Sequence, residues 1–108
     1  MADISQNANS GGYVASLVVK KTGGVLFGLT GYNSSGSAQF IQVHDANILP
    51  ADAAVPVLTF TVATVANFSI DFGIKGRKFT KGIVVCNSST GPTKTIGSAD
   101  TFIDAQYS

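Results

Sequence analysis

Phe79-Thr-Lys-Gly-Ile-Val-Val-Cys-Asn-Ser-Ser-Thr-Gly-Pro92 is the stretch whose reading decides the fold. Its centre, Gly82 to Cys86, is a continuous apolar run rich in β-branched residues and too short for a helix. Length, Val/Ile content and flanking turn formers make it a strand covered on both faces. The cluster from Asn87 to Pro92 must stop that strand and reverse the chain. A strand this apolar needs sheets or partners on both sides, so the remaining chain has to supply further strands.

It does so in order. Tyr13 to Lys20 and Val25 to Tyr32 are apolar segments separated by Lys21-Thr-Gly-Gly24, which predicts an antiparallel hairpin through a Gly-Gly turn. Ala38 to Asp45 alternates, with Ile41 and Val43 on one face and Phe40, Gln42 and His44 on the other. Ala46 to Pro56 is irregular and is expected to cross between sheets. Val57 to Val65 directs Leu58, Phe60 and Val62 inward, and Asn67 to Ile74 directs Phe68, Ile70 and Phe72 inward. Residues 75–82 form a loop, Thr93 to Ile96 a short edge strand, and Thr101 to Tyr107 a final strand. The expectation is an all-β domain of about eight strands, an antiparallel two-sheet sandwich of jelly-roll or Greek-key type.

At 108 residues the chain is one domain with one core. Residues 1–12 (MADISQNANSGG) are small and polar and predict a flexible N-terminal arm, frayed or laid across a neighbouring subunit; residues 13–108 form the sandwich. The segment has no basic stretch followed by an apolar one, so no secretory signal is expected and the chain reads as folding in a reducing cytoplasm. Cys86 is the single cysteine, and in an apolar strand it behaves as a small buried hydrophobe.

Charged residues are 12% of the chain, against about 25% in an average soluble domain, so part of the surface is expected to be covered by copies of itself or by a partner. The net charge of +1 argues against a general electrostatic affinity for nucleic acid or membrane, and no segment reaches the roughly 20 apolar residues of a membrane helix. The one concentrated charge is Lys75, Arg77, Lys78 and Lys81, suited to an acidic protein surface or a polyanion, or simply to a solvated loop before the central strand.

Catalytic and metal signals are weak. His44-Asp45 is the only His beside a carboxylate, and no Gly-x-Ser-x-Gly elbow accompanies it. One His, one Cys and scattered Asp lack the paired spacing of a zinc site, and no Asp-rich loop suits calcium. Neither an enzyme nor a cofactor is expected.

Lys21-Thr-Gly-Gly-Val-Leu-Phe-Gly28 resembles the corresponding strand of a group of small tailed-bacteriophage virion proteins. In that group a polar arm comes before it. A strand ending in a pair such as His44-Asp45, a Pro/Ala-rich crossing and a late strand such as Phe79 to Val85 follow, leading into Ser-Ser-Thr-Gly-Pro-Thr-Lys-Thr at 88–95. The resemblance runs from about Lys20 to Tyr107. It implies a capsid decoration (cement) protein on the virion surface, made in the host cytoplasm and assembling as a dimer or trimer over junctions of the major capsid protein. Candidate partner-binding residues are then Lys75, Arg77, Lys78, Lys81, Phe40, and Ile4 and Tyr13 around the arm. The alternative is a tail or fibre module of carbohydrate-binding type, although Tyr13, Tyr32 and Tyr107 are scattered and Trp is absent.

Overall fold

The computed structural model describes residues 6–108, which form nine β-strands and no helix. In chain order these are β1 (Gln6–Asn9), β2 (Ser16–Lys20), β3 (Gly24–Asn33), β4 (Gln39–His44) and β5 (Leu58–Val62). They are followed by β6 (Ala66–Asp71), β7 (Arg77–Phe79), β8 (Ile83–Ser88) and β9 (Thr101–Tyr107). One sheet has the order β1-β9-β3-β6, with β7 pairing β3 beyond the end of β6; the other has the order β2-β8-β4-β5. Every ladder is antiparallel, and the fold is a β-sandwich. Sequence-distant strands lie side by side, β2 with β8 and β3 with β9, as Greek-key winding requires.

All six residues of β8 are buried, as its unbroken apolar run requires. Ile83 and Val85 enter the core between the sheets, where Ile41, Val43, Val62, Leu26, Leu29, Phe68, Ile103 and Ala105 meet them. The alternation read in β4, β5 and β6 holds: Ile41, Val43, Val62 and Phe68 are buried, while Thr59, Thr61, Asn67, Ser69 and Asp71 face solvent. Gly31 points inward beneath the Phe68 ring, where an added Cβ would collide with that ring and with the Phe102 carbonyl oxygen. The large ring therefore packs directly on β3 backbone.

Five expectations are corrected. Residues 75–82 are not all loop, since Arg77–Phe79 is the strand β7 paired with β3. The segments on either side of Lys21-Gly24 are not a hairpin: β2 belongs to one sheet and β3 to the other. The glycines make a sandwich corner, since a Cβ on Gly23 would lie 2.9 Å from the Thr80 carbonyl oxygen. Residues 46–56 do not cross between sheets. They join the adjacent strands β4 and β5 and lie as a strap over the outer face of the four-stranded sheet. Residues 93–96 are no regular strand; they pair with Ser88 and Ser89 and, through Lys94, with the strap backbone at Ala53 and Ala54. Of the expected arm, Gln6–Asn9 is an edge strand of the chain's own sheet, paired with β9 from Gln6↔Tyr107 to Asn9↔Asp104. The N–H and C=O groups on that side of β9 would otherwise lack partners. Ile4 lies outside the described residues.

Candidate functional site

The basic segment sits at one end of the sandwich, held by β7. Its residues pair with β3 as Gly24↔Phe79, Val25↔Lys78 and Leu26↔Arg77, and Phe79 is buried in the core. Gly76 takes a φ of 68°, and an added Cβ would strike Val25 and Phe27, so the loop turns back tightly over β3. Lys75, Arg77, Lys78 and Lys81 are all exposed, and Ile74 at the tip is 95% exposed.

The fold adds two cations to this end that sequence reasoning missed. Lys20 ends β2 opposite Ile83, the first residue of β8. Its backbone carbonyl lies 2.7 Å from where a Cβ on Gly82 would be, and Lys21 follows in the sandwich corner against Thr80. Six of the seven Lys and Arg residues therefore gather at one pole. Lys20 and Lys21 are more than fifty positions upstream of the others, and the β2–β8 and β3–β7 ladders bring them together.

The acids near this pole are engaged by backbone. Asp45 Oδ1 accepts from the Lys81 N–H at 2.8 Å and the Gly82 N–H at 3.3 Å. Its Oδ2 accepts from the Thr80 N–H at 3.2 Å and the Thr80 hydroxyl at 3.0 Å. Burial raises the Asp45 pKa, but these hydrogen bonds lower it further, leaving it below the ordinary carboxylate value. Asp71 accepts from the Gly73 N–H at 2.8 Å. Among the described residues the only ion pair is Lys94–Asp52, so the six polar cations carry no carboxylate partner.

The strap borders the same pole. It leaves the sheet after His44 and rejoins it where the Val57 N–H donates to the Val43 carbonyl at 2.9 Å. Along it Ile48 is 70% and Val55 75% exposed, with Leu49 and Val57 also open. Its underside is pinned. Lys94, buried to 3% exposure, donates through Nζ to Asp52 Oδ1 at 2.6 Å, and the Ala53 N–H donates to the Lys94 carbonyl at 2.7 Å. The Lys94 hydrogen bond is the main cause of a lowered Asp52 pKa.

Under the strap and the 89–97 loop lies a polar layer on the outer face of β4 and β8. Gln42 Nε2 donates to the carbonyls of Thr90, Gly91 and Thr93 at 2.9–3.0 Å, and Gln42 Oε1 lies 3.3 Å from His44 Nε2. The His44 ring is thus held by Gln42, whereas the Asp45 carboxylate is turned to Thr80–Gly82; the adjacent pair does not form a dyad. Burial, then the nearby Lys94 charge, lowers the His44 pKa. Burial pushes the Cys86 thiol up to about 11, the direction opposite to an activated nucleophile.

Of the other candidates, Phe40 is half-buried with its ring 3.0 Å from where a Gly91 Cβ would lie, so the loop covers it. Tyr13 is 55% exposed and meets Tyr32 with ring centroids 6.5 Å apart, a pairing the sequence did not reveal. Neither touches the basic pole. No helix is long and apolar enough to cross a membrane, and among the described residues no group of side chains is arranged to hold a metal. No protein-family model, no curated protein and no solved structure matches the chain.

Proposed function

We propose that this chain is a structural virion protein that decorates a bacteriophage capsid, binding as an oligomer over junctions of the major capsid protein. The observation that carries the reading is the pole where six cations, without carboxylate partners among the described residues, stand beside an apolar strap. Interfaces surround an apolar centre with a polar rim, where positive groups meet counter-charges on the partner. An acidic outer face on a protein lattice meets both requirements. Each exposed ion pair contributes about 0–1 kcal/mol, so a single site is weak. Repetition over a lattice turns such sites into stable decoration by avidity. The 12% charged content fits a protein that functions while covered.

The test is sedimentation of the purified chain with capsids of the encoding phage assembled without it. Saturable binding at a fixed copy number per capsid protein is expected, weakening as salt rises. Changing Lys75, Arg77, Lys78 and Lys81 together to Ser should weaken binding at least tenfold and flatten its salt dependence. No binding by the unaltered chain, or binding indifferent to both salt and substitution, overturns the reading.

A further inference from the structure

We propose that the open edge of β5 is a self-association surface, pairing antiparallel with β5 of a second copy about a two-fold axis through Phe60. The inference deepens the proposed function: it rests on the claim that the chain assembles with itself and names the interface.

Among the described residues, the order β2-β8-β4-β5 leaves one side of β5 with unpaired backbone N–H and C=O groups. Natural sandwiches blunt such an edge with Lys, Pro, a bulge or a covering loop. Here the register between β4 and β5 is unbroken from Gln39↔Val62 to Val43↔Leu58, and residues 53–70 contain no charged side chain. An uncharged edge brings no like charges together when two copies meet.

The sequence of β5, Leu-Thr-Phe-Thr-Val, is close to a chemical palindrome. With two antiparallel copies centred on Phe60, that residue faces its own copy, Thr59 faces Thr61, and Leu58 faces Val62. On the outer face threonine meets threonine, and on the core side apolar meets apolar, both favourable cross-strand pairings.

The core is incomplete along this same side. β5 and β6 are the last strands of their sheets, and Leu58, Phe60 and Ile70 between them remain half-buried although they pack on the core. Phe60 meets Phe68 at 5.8 Å between centroids, with its outer flank open. Exposed Val57 (40%) and Val65 (59%) stand at the two ends of the strand. A second β5 supplies the missing ladder and closes the flank beside Phe60; the partner that fits is another copy of this chain.

The experiment is native mass spectrometry and light scattering of the full chain over a wide concentration range, with amide hydrogen exchange of β5. A dimer is expected, with the outward amides of β5 protected. The variant Thr59→Lys/Thr61→Lys sets ammonium groups facing one another across the axis and should raise the dimer dissociation constant at least tenfold. Ser69→Lys, on the exposed face of β6, should leave it unchanged. Circular dichroism and thermal melting check that each variant is folded. A wild-type chain that stays monomeric with unprotected β5 amides overturns the inference, as does an oligomer indifferent to the lysine pair. Exchange in the wild-type protein decides the matter even if the double variant does not fold. A monomer that still binds capsids removes edge pairing alone, whereas a β5-paired dimer that binds none removes the lattice reading alone.

Discussion

The Asp45 carboxylate accepts a 2.8 Å hydrogen bond from the backbone N–H of Lys81, and through it an acid fixes the base of the loop that carries the basic charge. The contact joins the end of β4 to the start of β8 and resembles a helix cap in its physics, one carboxylate satisfying several backbone donors. Asp45→Ala should destabilise the fold by about 1–2 kcal/mol, through loss of a carboxylate that caps several backbone N–H groups. Urea denaturation measures it.

The same contact sets an acid limit. Because the folded Asp45 pKa lies below the ordinary 3.8, its contribution is complete above that value and is lost as pH falls through the lower folded value. Stability plotted against pH should therefore drop below about 4 in the wild type and drop less steeply in Asp45→Ala. Parallel acid limbs in the two proteins would exclude the linkage.

Asp52→Asn leaves the Lys94 ammonium buried without its counter-charge, so the strap should loosen before the sandwich does. Faster hydrogen exchange at Ala53, whose N–H is held by the Lys94 carbonyl, and at Ile96, whose N–H is held by Asp52, is the expected result. Cys86, beneath the strap and with its thiol pushed up to about 11, should react slowly with thiol reagents in the wild type and faster in this variant.

Gly31→Ala should be severe and Gly91→Ala mild. At Gly31 the new methyl meets the Phe102 carbonyl and the Phe68 ring inside the core, with no room for either to retreat. A loss of about 3 kcal/mol or more is expected there. At Gly91 it meets the Phe40 ring at 3.0 Å on a half-open loop, where a small ring shift relieves it. Thermal melting of the two variants gives the contrast.

Val65 occupies the left-handed region at φ 47°, where a β-branched side chain is strained. Val65→Asn should raise stability by about 1 kcal/mol, since asparagine tolerates that conformation and little packing is lost at 59% exposure. If Val65 also touches a second copy at the β5 edge, the same variant weakens the dimer while its subunit becomes more stable.

Strands with a strict alternation were legible because the period of two is dictated by the pleat: β4, β5 and β6 point as their sequences require. The continuous run of β8 was equally plain. Gly23-Gly24 misled because a tight hairpin and a sandwich corner ask for the same small residues, and only the sheet assignment separates them. The basic pole was half legible. Lys75 to Lys81 are neighbours in sequence, whereas Lys20 and Lys21 join them through a ladder that local pattern does not encode. Lys94, read as part of a polar edge strand, is buried, because the apolar strap that covers it comes from forty residues earlier.

β9 is the partner of both β1 and β3, and its own Tyr107 stands opposite Gln6. A growing chain can therefore close neither ladder until β9 has left the ribosome. Chains that stop before Thr101 lack the strand between β1 and β3 and should remain open to proteolysis.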